Sequence, residues 1–167
     1  GSVVELVVGG TIWEATVRNS TWMESISAPG SGKNLNIEIK IDGIAGGSNV
    51  VFTYSPPSII NMTTPPLKGG TMEIYGRYFF DKNIEINVNE EGCIRPCADI
   101  QFISSSILQC QYGGLGKVGV CDKQLVKVTI NGQTSNGMYI CYNSDRGDLT
   151  GVPSNLQRLT ENGTMQY

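Results

Sequence analysis

The chain repeats itself out of phase, and nothing else in it constrains the fold as strongly. Residues 56–143 form one complete unit. It opens Pro56-Pro57-Ser58-Ile59, continues Gly69-Gly70-Thr71-Met72-Glu73-Ile74-Tyr75-Gly76, and closes on Leu125 to Ser135 and Met138 to Tyr142. The closing half is already present as Leu35 to Gly43 followed by Val50 to Tyr54, and the opening half returns where Gly163-Thr164-Met165 repeats Gly70-Thr71-Met72. A spacing of roughly 90 residues describes an array of small domains rather than a solenoid of short units. Residues 1–55 thus read as the back of one domain and 56–143 as all of a second. Residues 144–167 read as the start of a further unit, or as a tail that completes the first.

Period-two alternation says what these units are made of. Leu35, Ile37, Ile39 and Ile41 alternate with Asn36, Glu38 and Lys40, which predicts a strand with one buried face. Asp42-Gly43 is a turn, with Val50 to Tyr54 expected as the returning partner. In the second unit short strands are expected around Ile59-Ile60, Met72-Ile74, Ile84-Val88, Ile100-Phe102, Ile107-Cys110, Val126-Ile130 and Met138-Ile140. With charged residues at 16 %, 21 Gly and 7 Pro, the chain suits strands joined by tight turns and not helical bundles. The expected class is all-β, a β-sandwich repeated in tandem.

A net charge of −3 without any Lys/Arg run argues against nucleic acid as a partner. No apolar stretch is long enough to span a bilayer, so any membrane attachment is expected through parts outside this sequence. Gly1-Ser2 reads as a cloning remnant at the head of an excised fragment. The five cysteines, Cys93, Cys97, Cys110, Cys121 and Cys141, do not have zinc-site spacing, and the chain contains no histidine. Disulfides are the better reading, with one thiol left over. Acceptor sequons at Asn19, Asn61 and Asn162 agree with an exported glycoprotein.

On these motifs residues 56–143 resemble an IPT/TIG domain, an immunoglobulin-like E-set sandwich. The resemblance rests on Pro57-Ser58-Ile59, Gly69 to Phe79, Ser104-Ser105-Ser106-Ile107-Leu108-Gln109-Cys110 and the Val126 to Tyr142 hairpin. Residues 1–55 resemble the same domain without its first strands, through Ser20 to Ser25, Ala28 to Gly32 and Leu35 to Tyr54. The Asn- and Ser-rich tandem texture is most similar to the tiger cell-surface proteins of social amoebae. That likeness implies an extracellular adhesion or self-recognition fragment, whose partner is a cell-surface protein of the same or a related family. It also implies a bridge between Cys97 and Cys110. A second bridge, between Cys121 and Cys141 near one end of the closing hairpin, would leave Cys93 over. Ser25 stands where Cys110 does, so the first unit has no such bridge. An incomplete first unit further suggests that the tail donates a strand to it, within one chain or between two in a homodimer.

No enzyme, cofactor or metal is expected. Without histidine no Ser-His-Asp or Cys-His arrangement can form. Glu90-Glu91 reads as a solvated pair beside a turn, and Gly113-Gly114-Leu115-Gly116-Lys117 lacks the full spacing of a phosphate loop. Arg146-Gly147-Asp148 spells a tripeptide that some adhesion receptors read. Tyr78, Phe79 and Phe80 are the candidate partner-binding cluster, because aromatics dominate interface hot spots. A carbohydrate-binding accessory module is the alternative function, and a planar exposed aromatic strip would favour it.

Overall fold

The computed structural model describes residues 1–114 and 124–141, and every regular element among them is a β-strand. The chain divides into two units, Gly1–Ser55 and one beginning at Pro56. The tail, Arg146-Gly147-Asp148, Cys121 and Asn162 lie outside the described residues.

Unit 1 contains β1 (Val4–Val8), β2 (Thr11–Trp13), β3 (Ala15–Asn19), β4 (Trp22–Ser25), β5 (Leu35–Ile41), β6 (Ile44–Gly46) and β7 (Val51–Phe52). One antiparallel sheet runs β2-β1-β5-β6, with β7 also paired to β5, and β3-β4 form a second sheet. Leu35, Ile37, Ile39 and Ile41 share a face with Val4, Leu6 and Val8 across the β1–β5 pairing. Trp13 joins this face opposite Leu6 and stacks edge-on against Phe52, with ring centroids 4.9 Å apart. The return from β5 differs from the expected Val50–Tyr54 partner. Asp42 (φ 52°) and Gly43 (φ 80°) both sit in the left-handed region, which makes a two-residue turn and starts the return at Ile44. Val51 and Phe52 of the expected strand pair with β5, opposite Asn36 and Leu35, and the Val50 carbonyl accepts from the Ile37 amide at 3.2 Å.

Unit 2 contains nine described strands, against the seven expected: β8 (Ser58–Met62), β9 (Gly70–Arg77), β10 (Ile84–Glu90), β11 (Cys93–Pro96), β12 (Ala98–Ser104), β13 (Ile107–Tyr112), β14 (Gln124–Ile130), β15 (Gln133–Thr134) and β16 (Met138–Tyr139). One sheet runs β12-β13-β9-β8. The other runs β11-β10-β14-β15, with β16 also paired to β14. Alternate residues of both sheets meet in one core: Met72 and Ile74 of β9 and Leu108, Cys110 and Tyr112 of β13 share it with Ile86 and Val88 of β10 and Val126, Val128 and Ile130 of β14. Two antiparallel sheets packed on a shared core are the two-layer answer for strands with one apolar face. Asn136 ties β8 to the closing segment: its Oδ1 accepts from the Ile59 amide at 2.8 Å and its Nδ2 donates to the Ile59 carbonyl at 3.0 Å.

The strands of unit 1 correspond one for one to β10–β16 of unit 2. The set β2-β1-β5-β6/β7 repeats as β11-β10-β14-β15/β16, with Val4↔Ile41 matching Ile84↔Ile130. The β3–β4 ladder repeats as β12–β13, down to the register irregularity after Val17 and after Phe102. Among the described residues unit 1 has no counterparts of β8 and β9, and β4 pairs with β3 alone.

Candidate interaction surface

Three loops far apart in sequence meet at one end of unit 2. The loop 78–83 joins β9 to β10, the turn Ser105-Ser106 joins β12 to β13, and the turn Asn131-Gly132 joins β14 to β15. The Gly76 amide donates to the Ser106 carbonyl at 2.9 Å, and the Phe79 amide to the Ser105 carbonyl at 3.0 Å. Asn131 donates its amide to the Asn83 carbonyl at 3.2 Å, and the Asn83 side chain donates to Asn131 Oδ1 at 3.3 Å. These bonds hold the loop backbone to the frame, so a side chain carried there has a fixed base.

Tyr78 is the side chain so carried. It has φ 62° and is 56 % exposed, whereas the next residue, Phe79, is 2 % exposed. A bulky non-glycine residue in the left-handed region is uncommon and costs conformational energy, so its neighbours must impose it. The next residue, Phe79, sends its ring into the core beside Gly76, where an added Cβ would lie 2.0 Å from the Ser58 carbonyl oxygen and 2.5 Å from Phe79 Cζ. Arg77, Asp81 and Lys82 are also exposed, which surrounds one aromatic with charges of both signs.

The expected cluster of three aromatics is therefore split. Tyr78 is exposed, Phe79 is a core residue, and Phe80 is half-buried against that core. Asn83, Ser105, Ser106 and Asn131 were not among the expected site residues, although the Asn-Gly dipeptide at Asn131 does mark the turn.

Cys97 and Cys110 are bridged, with Cα atoms 5.8 Å apart and both residues in the core. Cys141 is also disulfide-bonded, and Cys93 is a free, exposed thiol. Asn19 and Asn61 are both exposed. In the first sequon Asn19 Oδ1 accepts from the Thr21 amide and hydroxyl, both at 2.9 Å; in the second the Thr63 hydroxyl accepts from the Glu73 amide at 2.8 Å. Glu90 and Glu91 have different roles from one another. Glu91 (φ 50°) and Gly92 (φ 90°) make the two-residue turn, while Glu90 reaches Arg95 at 3.3 Å. Burial, then the charge of Glu90, pushes the Tyr112 phenol above its ordinary value, and Arg95 opposes this. Gln124 Nε2 donates to the Tyr112 oxygen at 3.1 Å inside the core.

Compared with known proteins, the chain matches no protein-family model and no curated protein.

Proposed function

We propose that the chain is part of an extracellular, non-enzymatic adhesion or recognition protein, and that unit 2 binds a protein partner through the loop end centred on Tyr78. The observation that carries this reading is Tyr78 itself: an exposed aromatic at φ 62°, on a loop bonded to its frame. Strained backbone that presents a side chain to solvent is better accounted for by contact than by stability.

The immunoglobulin-like assignment, of the IPT/TIG kind, draws support from strand order. The sheet β8-β9-β13-β12 has the order A-B-E-D, and β11-β10-β14-β15 has the order C′-C-F-G, the arrangement of the immunoglobulin sandwich. The three loops at the Tyr78 end are then the BC, DE and FG loops. An extracellular location draws support from the Cys97–Cys110 bridge, since such bonds persist in oxidising compartments. The partner is a cell-surface protein of the same or a related kind.

Bead aggregation tests the reading. The chain, made in a secretory host, is coupled to beads of one colour and an unrelated protein to beads of another. Clumping of the first colour alone is expected, with a Tyr78→Gly chain failing to clump although it stays folded. Absence of clumping, or equal clumping by the Tyr78→Gly chain, would refute self-adhesion through this end.

A further inference from the structure

Unit 1 has an open apolar groove of about 460 Å³ between its two sheets. Val4, Ile39 and Ile41 line it from one sheet, and Val17, Trp22 and Met23 from the other. The exposure is graded: Val8 and Trp13 are buried on the same apolar face, whereas Ile39 is 38 % and Ile41 51 % exposed. Unit 2 shows what closes this space. At the positions equivalent to Ile39 and Ile41, Val128 and Ile130 are each 0 % exposed, in one core with Met72 and Ile74 of β9 and Ile59 of β8.

We propose that this groove is the seat of a two-stranded antiparallel hairpin of the β8–β9 kind, its inner strand hydrogen-bonded along the unpaired side of β4. The register follows from the correspondence of the ladders. Met23 faces Val17 as Leu108 faces Phe102, and β9 places Ile74 opposite Leu108 and Met72 opposite Cys110. The inner strand therefore sets one apolar residue opposite Met23 and the next, two positions away, opposite Ser25. Both point into the groove, because alternate residues share a face. The occupant is two strands and not one, because β8 adds Ile59 and Met62 to the core of unit 2 and covers the outer side of β9. Recognition of this kind combines main-chain pairing with alternate side-chain pockets.

The connection in unit 2 defines the test. Residues 78–83 carry the chain from β9 to β10, and Asn83 precedes Ile84 as Val3 precedes Val4. A copy of residues 56–83 is fused directly ahead of Val4 in the whole chain, replacing residues 1–3. The expected result is slowing of β4 amide exchange by about tenfold or more, with a blue shift of Trp22 emission. A second fusion, whose copy alone carries Met72→Asp and Ile74→Asp, is expected to show neither. The unaltered unit 2 in both reports that the chain has folded. Unchanged β4 exchange in the first fusion, or equal slowing in both, would overturn the proposal. Protection already present in the unfused chain and lost on Met165→Asp would overturn it in favour of the chain's own tail.

Discussion

Ile41 and Ile130 hold the same place in the two units and meet opposite fates. Each ends its strand ahead of an Asx-Gly turn, and each pairs with the first residue of the strand beside it, Val4 or Ile84. Ile41 is 51 % exposed and Ile130 is fully buried. Strand, turn and register are the same, so the difference comes from the opposing layer: β3-β4 faces one, and β12-β13-β9-β8 the other. A sheet face specifies where apolar residues stand; only a second layer of sufficient width removes them from water.

The largest expected effect tests that statement directly. Ile130→Ala removes a buried side chain and leaves a cavity, so unit 2 is expected to lose about 2–5 kcal/mol, whereas Ile41→Ala costs unit 1 under about 1 kcal/mol. The readouts separate cleanly, because both tryptophans, Trp13 and Trp22, are in unit 1. Tryptophan emission during urea unfolding follows unit 1, and hydrogen exchange along β14 follows unit 2. Equal costs at the two sites would mean that the face of unit 1 is covered after all.

The next effect concerns the covalent difference. Cys97 joins β11 to β12 and is bridged to Cys110 on β13; Glu14 joins β2 to β3, and its carbonyl accepts a hydrogen bond from Ser25 on β4. One position thus has a disulfide in unit 2 and a hydroxyl bond in unit 1. Replacing both cysteines by Ala is expected to lower the stability of unit 2 by about 3 kcal/mol, as for a loop of this length. Ser25→Ala is expected to cost unit 1 about 1 kcal/mol. A double-cysteine variant that shifted the tryptophan-detected transition as far as the β14 exchange would show the units to be energetically coupled.

Much of this comparison was legible in residue patterns, and what was not has identifiable causes. The alternation along Leu35–Ile41 and Gln124–Ile130 marked the central strands, because a half-buried strand writes its face into every second residue. The short strand β11 was missed: Cys93, Ile94, Arg95 and Pro96 are all exposed, so it is held by backbone pairing that leaves no apolar signature. Tyr78-Phe79-Phe80 looked like one patch because a linear string does not report that Tyr78 has positive φ, which separates the directions of its neighbours. The loop end was hidden for a topological reason. Residues 78–83, 105–106 and 131–132 adjoin only once both sheets are assembled.

A smaller effect separates folding from binding at that end. Glycine adopts φ 62° without the steric penalty that tyrosine bears, about 1–2 kcal/mol per residue in the left-handed region. Tyr78→Gly is therefore expected to leave unit 2 as stable as before, or more stable by about 1 kcal/mol, while abolishing bead aggregation. A loss of stability by more than about 1 kcal/mol would instead assign Tyr78 to packing, since large losses come from core contacts. Unit 1 offers the contrast. Its counterpart turn, Asp42-Gly43, is tied by Val3 and Asp42 bonding each other at 2.8 Å both ways, with no aromatic displayed.

The smallest effect is in alkaline solution, and it rests on the half-buried phenol of Tyr54 in unit 1 and the buried phenol of Tyr112 in unit 2. Tyr54 is pushed above its ordinary value by burial, and donates its hydroxyl to the Ala28 carbonyl at 2.7 Å. Tyr112 is pushed up by burial and, further, by Glu90. A folded-state value above the unfolded one means that the protonated phenol is favoured by folding. Its contribution is whole below the unfolded value near 10, and is lost as pH rises through the folded value. Both units are thus expected to weaken above about pH 10, and Tyr112→Phe to reduce that loss in unit 2, where Tyr75 is still raised by its hydrogen bond to Glu73, while leaving it in unit 1. Glu90→Gln is the sharper variant. It removes the carboxylate and keeps the phenol buried beside Gln124, so the Tyr112 titration, followed by phenolate absorbance, moves down toward its ordinary value. Were it to stay in place, burial alone would hold the phenol protonated, and the alkaline behaviour of the two units would have a single cause.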